Sequence, residues 1–268
     1  MQEFIHSTTN PSAPVAYCSF MAMHTKVELL FVMEDGNRAK ELCEAVEALF
    51  EKTEKSMSRH LPGQGLAVVN STESAVQVDD DLYFAIEMCE QLRRATGGYF
   101  DIAALSPSRQ RPAYRTYPPT HQVQRCFPEA ILDLGGFAKG YALEKAKALL
   151  QEAGVKKALL NAGNSSVLGI GTHPLGDAWL VSPAGDTDVQ FRLHDSALSV
   201  SGRNGTGRDH IVDPKTGAMA SKVLGIAVAG RSALVCEALS TALYAAPDAE
   251  HDAILAQFED YEITDIRI

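Results

Sequence analysis

The chain has 268 residues, 46% of them apolar and 22% charged, with a formal net charge of -10. Those values are ordinary for a globular protein long enough to bury a sizeable core. They exclude a nucleic-acid binder working through a basic stripe, since no Lys or Arg run offsets the acidic balance, but an acidic chain can still hold a nucleotide whose phosphates meet backbone N–H groups, a lysine or a metal ion.

In chain order, residues 1–19 read as a flexible segment. Met1 to Pro14 is polar and has no basic region followed by an apolar one, so a signal peptide is not expected. A lipoprotein acceptor would need a small residue where Tyr17 precedes Cys18. The expected location is the cytoplasm, or the periplasm if a leader has been removed. Alternating Val27, Leu29 and Phe31 predict a strand over 20–33, and Leu42, Val46, Leu49 and Phe50 recur at helical spacing over 38–55. A loop follows at 61–65. Asp79 or Asp80 caps a second helix toward Ala95, and Gly97-Gly98 stops it.

Residues 106–128 hold five of the twelve prolines, with Arg109, Arg111 and Arg115 between them, and predict a long surface loop. Beyond it the pattern predicts a short strand at 130–132, a glycine turn and a helix over 138–153 ended by Gly154. Strands follow over 157–160, 167–170, 179–182, 188–193 and 197–200. A last strand over 223–229 feeds a helix over 232–245. No stretch approaches the roughly 20 apolar residues of a membrane span. The cysteines at 18, 43, 89, 126 and 236 are odd in number and scattered, which predicts reduced, mostly buried thiols. The mixture of hairpin-like and helix-linked strands indicates an α+β (mixed α/β) architecture.

Four constellations could carry chemistry. Asp133-Leu134-Gly135-Gly136-Phe137-Ala138-Lys139-Gly140 is a glycine turn opening a helix, where backbone can approach a ligand and Lys139 can reach a phosphate. Asn161-Ala162-Gly163-Asn164-Ser165-Ser166 ends a strand with small and amide residues suited to a ribose or phosphate. Ser199-Val200-Ser201-Gly202 precedes His210 to Gly217, in which a histidine on an apolar run leads into Asp213-Pro214-Lys215-Thr216-Gly217. On the last helix Glu237 and Thr241 are four residues apart, so a carboxylate and a hydroxyl share one face as hard oxygen donors for Mg²⁺. Taken singly, each fits an ordinary turn, a satisfied histidine or an amphipathic helix equally well. Their order along one chain is the specific signal.

With Phe20-Met21-Ala22-Met23-His24-Thr25, Thr96-Gly97-Gly98-Tyr99-Phe100-Asp101 and Glu237-Ala238-Leu239-Ser240-Thr241-Ala242, these segments resemble, in order, the motifs of the ApbE family of FAD:protein FMN transferases. The resemblance implies a single ApbE-like domain over 1–268 whose two subdomains enclose a flavin cleft. It implies FAD contacts at Met23, Thr25, Asp101, Gly135, Gly136, Lys139, Asn161, Ala162, Gly163, Ser201, Gly202 and His210. It implies a Mg²⁺ held by Glu237, Thr241 and the carbonyl of Ala138. The implied reaction is attack of a threonine or serine hydroxyl of an acceptor redox protein on the FMN-side phosphorus of FAD, releasing AMP, with Lys139 stabilising phosphate charge and His210 contacting flavin or handling a proton.

The chain departs from the family pattern where Glu237 replaces an aspartate, His24 a glycine and Asn164 to Ser166 a Gly-Gly-Asp run. Two rival readings stand beside the transferase. One is an FAD-binding carrier or sensor, and the other an FAD pyrophosphatase giving FMN and AMP.

Overall fold

The computed structural model describes residues 1–109, 111–183, 186, 188–202 and 210–267. Two strands, β1 (Glu3–Ser7) and β2 (Val15–Ala22), precede β3 (Thr25–Val32) and the helix α1 (Gly36–Met57). Next come α2 (Gly65–Ser71), β4 (Val76–Gln77), α3 (Asp80–Ala95), β5 (Tyr114–Tyr117) and β6 (Gln122–Arg125). The second half runs α4 (Ala138–Glu152), β7 (Ala158–Ala162), β8 (Ser166–Ile170), β9 (Trp179–Val181), β10 (Phe191–Leu193), β11 (Ala197–Ser201) and β12 (Gly225–Gly230). It closes with α5 (Ala233–Ala245), α6 (His251–Leu255) and β13 (Glu262–Ile266).

Eight strands form one antiparallel sheet in the order β1-β2-β3-β7-β8-β11-β12-β13. Side chains of successive strand residues leave opposite faces, and both faces here are apolar. Leu168, Ala197 and Val228 face the main core, which includes α1, α3, α4 and α5. Val167, Leu198, Ala227 and Ala229 face a smaller core, closed by Trp179, Phe191 and Leu193 of the β9–β10 hairpin. Helix α5 is buried along nearly its whole length, which explains why it lacks a polar stripe. The mixed α+β architecture expected from the sequence is what the chain adopts.

Helix boundaries follow local chemistry. Asp35 accepts from the backbone of Asn37 and Arg38 to open α1, and Asp79 accepts from Leu82 at 2.8 Å to open α3. Helix α3 carries Asp80 and Asp81 in its first turn and Arg93 and Arg94 in its last, the arrangement its dipole favours. Gly97 and Gly98, at φ 61° and 88°, terminate it.

Five expectations need correction. Residues 1–19 are not flexible throughout: they contain β1 and most of β2, paired from Glu3–Ser19 to Ser7–Val15. The strand expected over 20–33 is a hairpin, β2 and β3, turning at Met23 and His24 with φ 52° and 58°. That geometry normally selects Asn-Gly, and without it the break was invisible. Within 106–128, β5 and β6 form a hairpin with β4 alongside. The arginines tie the segment down: Arg111 pairs with Asp101 at 2.6 Å, and Arg109 donates to the carbonyls of Ala104 and Ser106. Finally, 130–132 is irregular, and β13 follows the strand expected to be last.

All five cysteines are free, and four are buried. Among the described residues, no helix is long and apolar enough to cross a membrane.

Candidate functional site

A cleft of about 990 Å³ opens where the turn before α4, the 99–105 segment, the ends of β8 and β11, and the 210–214 segment converge. Its base is built by α4 and α5. Gly140 is the contact between them: a Cβ there would lie 2.6 Å from the Ala233 carbonyl oxygen and 2.7 Å from Leu234 Cα. Only a glycine permits this approach, and it brings Lys139 of α4 against Glu237 of α5.

Lys139 Nζ lies 2.5 Å from Glu237 Oε1, and the Gly140 N–H donates to Oε2. The Glu237 side chain is 4% exposed and Lys139 22%. The carboxylate therefore sits at the N-terminus of α4, the position that the helix dipole offers to an anion. Other amides of this turn are also engaged: Phe137 and Ala138 both donate to the Leu134 carbonyl, and Gly135 donates to Asp133 Oδ1. The turn is thus more internally satisfied than the glycine pattern suggested.

Above Glu237 lies a cluster of hydroxyls. Ser240 and Thr241 donate to the Glu237 carbonyl at 3.1 and 2.9 Å, because a carbonyl can only accept. Ser240 Oγ also bonds Ser199 Oγ (3.2 Å) and Ser201 Oγ (2.9 Å), and Ser201 Oγ lies 3.4 Å from Thr241 Oγ1, so the four hydroxyls form one cluster. Thr241 Oγ1, with its proton committed, retains lone pairs. It stands beside Gly136, where a Cβ would come within 3.1 Å of it.

Also lining the cleft, Asp133 pairs with Arg59 at 2.7 Å, and Asp101 accepts from the Ala103 amide as well as Arg111. Lys215 sits 3.8 Å over the ring of Tyr99, joining the 213–217 turn to the 96–101 segment. Burial pushes the Cys89 thiol well up, and the nearby charges of Glu237 and Asp101 add to the effect.

Of the residues singled out in the sequence, Asp101, Gly135, Gly136, Lys139, Gly163, Ser201, Gly202, His210, Glu237 and Thr241 line this cleft. Five do not. Met23 packs half-buried against the core and Ala162 is inside it. Thr25 packs against Gly163, where an added Cβ would lie 2.2 Å from Thr25 Oγ1. Asn161 bonds Glu28 and Asn164 and lines a second cavity of about 240 Å³ on the other face of the sheet. Ala138 opens α4 beneath the cleft wall. Ser166 and Ser199 also line the cleft, as does Arg59, which was not singled out. Ser166 and Ser199 had a signal, since each lies in one of the polar segments picked out of the sequence. Arg59 had none, since its partner lies 74 residues away.

A sequence profile described as the ApbE family matches residues 23–264. A protein of Rhodobacter capsulatus named FAD:protein FMN transferase is 34% identical over 147 residues, covering 48% of this chain and 27% of that protein. One of the same name from Klebsiella pneumoniae is 27% identical over 135 residues, covering 45% and 38%. Those matches span well under half of either relative's own length. Among solved structures, the flavin transferase ApbE from Vibrio cholerae superposes with a TM-score of 0.81 at 18% identity, over 95% of this chain and 97% of that one. The ApbE protein of Thermotoga maritima gives 0.81 at 20% identity, over 98% and 94%.

Proposed function

From the premise that the chain belongs to the ApbE family, we propose that it moves the FMN half of FAD onto a threonine or serine hydroxyl of an acceptor redox protein, with Mg²⁺ beside the pyrophosphate and AMP released. The observation that carries this reading is the juxtaposition of Lys139, Glu237 and Thr241 at the base of the cleft. One cation and two hard oxygen donors meet there, in a cavity at the upper end of the roughly 300–1,000 Å³ range of small-molecule sites. The curated relatives named as FAD:protein FMN transferases support it.

The donor set fits Mg²⁺. The ion takes oxygen ligands, commonly one or two carboxylates together with substrate phosphates and waters. Glu237 offers a carboxylate with lone pairs beyond the two already used. Thr241 offers a hydroxyl whose proton points away; the Ala138 carbonyl, the third ligand the family resemblance implies, belongs to a residue outside the cleft lining. When bound, Mg²⁺ would neutralise charge on the pyrophosphate.

The chain's own residues do the rest. Lys139 meets the phosphate charge. The acceptor hydroxyl oxygen bonds to the FMN-side phosphorus as the bond to the AMP phosphate oxygen breaks, a displacement that depends on positioning and charge neutralisation. His210, an exposed residue of the cleft lining, would receive the hydroxyl proton.

One observation favours a second reading, FAD binding without transfer: both Glu237 oxygens are already held, by Lys139 and Gly140. The deciding experiment incubates the protein with FAD and Mg²⁺, with and without a threonine-bearing acceptor peptide, and follows AMP release and peptide mass. A flavin-phosphate adduct that disappears without Mg²⁺ and in Glu237→Ala is the expected result. FAD binding with neither product identifies a flavin-binding protein, and AMP without an acceptor identifies a pyrophosphatase.

A further inference from the structure

Ser166 opens β8 at the cleft wall and is 2% exposed, yet its hydroxyl has no hydrogen-bond partner among the described residues. Its register explains which way it faces. Ser166 stands opposite Ser199 across the β8–β11 ladder, and directly opposed residues project from the same face of a sheet. Ser199 points to Ser240 on α5, so Ser166 belongs to the same row of hydroxyls on the helical side.

Within that row Ser199, Ser201, Ser240 and Thr241 are each hydrogen-bonded to one another or to the Glu237 carbonyl. Four of the five hydroxyls therefore already have a partner. Ser166 alone in the row keeps an uncommitted O–H. A buried hydroxyl without a partner is costly, and native structures keep such a group where something else completes it.

We propose that Ser166 donates a hydrogen bond to an uncharged acceptor atom of the nucleotide held in the cleft, making it a binding residue that sets ligand affinity. This rests on the reading of the cleft as an FAD site. Two features point to an uncharged acceptor. The cationic and helix-terminal groups that suit a phosphate, Lys139 and the start of α4, sit at the base beside Glu237. Ser166 is flanked across the ladders by Ala162 and Ser199, both neutral, and a single neutral donor at a buried position compensates a phosphate's lost hydration poorly. A ring carbonyl, a ring nitrogen or a sugar hydroxyl matches it in strength. That acceptor can lie on the flavin or the adenine half, and the ligand fragments tell them apart.

The test compares wild-type protein with Ser166→Ala, with Ser199→Ala as the contrasting variant. FAD and FMN are titrated by flavin fluorescence, AMP and inorganic pyrophosphate by calorimetry, and the melting temperature of each unliganded protein is recorded. Ser166→Ala removes an unpaired hydroxyl, so its melting temperature should equal or exceed the wild-type value, whereas Ser199→Ala, which loses a made bond, should melt lower. FAD affinity in Ser166→Ala should fall about 3–10-fold, the worth of one hydrogen bond. The loss should follow either FMN or AMP and leave pyrophosphate unchanged. Unchanged FAD affinity, a loss carried by pyrophosphate, or a melting point as low as that of Ser199→Ala overturns the assignment to Ser166 alone. Failure of the wild-type protein to bind FAD overturns the functional reading together with it.

Discussion

Lys139 and Glu237 are 98 residues apart in the chain and 2.5 Å apart in space. Each sits where burial would penalise it alone, and each is neutralised by the other. The pair is therefore a latch: the cation that suits a phosphate is held by the carboxylate that suits a metal. Substrate and metal arriving together would exchange one set of charges for another without leaving either group unpaired.

Glu237→Gln tests the latch. The amide keeps the shape and loses the charge, leaving Lys139 without its counter-ion. Breaking a fully buried pair costs about 3–5 kcal/mol. Because Lys139 retains some exposure, a loss of about 1–3 kcal/mol by chemical denaturation is expected, with Mg²⁺-dependent AMP release reduced at least tenfold. Turnover at the wild-type rate would remove Glu237 from the metal site.

The latch depends on how closely α4 and α5 pack. Alanine at position 140 gains about 1 kcal/mol in helix propensity, but its Cβ would collide with the backbone at Ala233 and Leu234. Backbone cannot rotate out of the way as a side chain can. Gly140→Ala should therefore destabilise the protein by about 1–3 kcal/mol and, by separating the helices, weaken FAD binding as well. A variant as stable as wild type would mean that the helices adjust without cost.

What the sequence disclosed and what it hid follow from the range of the forces involved. Helices α1, α3, α4 and α5 were legible because their caps, glycine stops and apolar spacing are local. So was the cleft's Gly135-Gly136 turn with Lys139, and the Glu237/Thr241 pair on one helical face. Arg59 with Asp133, and Ser166 opposite Ser199, are products of tertiary register and leave no local trace. The β2–β3 hairpin was missed for the opposite reason: its turn residues, Met23 and His24, contradict the turn they form.

That contradiction is measurable. Non-glycine residues at positive φ cost on the order of 1 kcal/mol, and His24 is exposed, so its ring can be removed with little loss of packing. Glycine there relieves strain but adds freedom to the unfolded chain. About 1 kcal/mol of relieved strain less about 0.4–1 kcal/mol for the added freedom leaves His24→Gly more stable by a few tenths of a kcal/mol, seen as a slightly higher melting temperature. A lower one would show that its edge-on contact with His60, ring centroids 6.5 Å apart, outweighs the strain.

Acid stability should report on Asp81, which clasps three helices. It accepts from Lys52 of α1 at 2.7 Å and from Tyr141 and Lys145 of α4 at 2.6 and 3.3 Å, while standing in the first turn of α3. Partial burial works against its charge, but the three hydrogen bonds outweigh that and hold its carboxyl at about 2, below the ordinary 3.8. A carboxyl held lower in the folded state stabilises the fold in full above its unfolded value, and that contribution is lost as pH falls through the folded one. Asp81 should therefore contribute stability at pH 5 and above that disappears between about pH 4 and pH 2. Asp81→Asn should be less stable than wild type at pH 6, and the two should converge toward pH 2. Denaturation curves for both proteins at a series of pH values decide it. A gap that stays constant down to pH 2 would assign the effect of the mutation to packing and not to the charge.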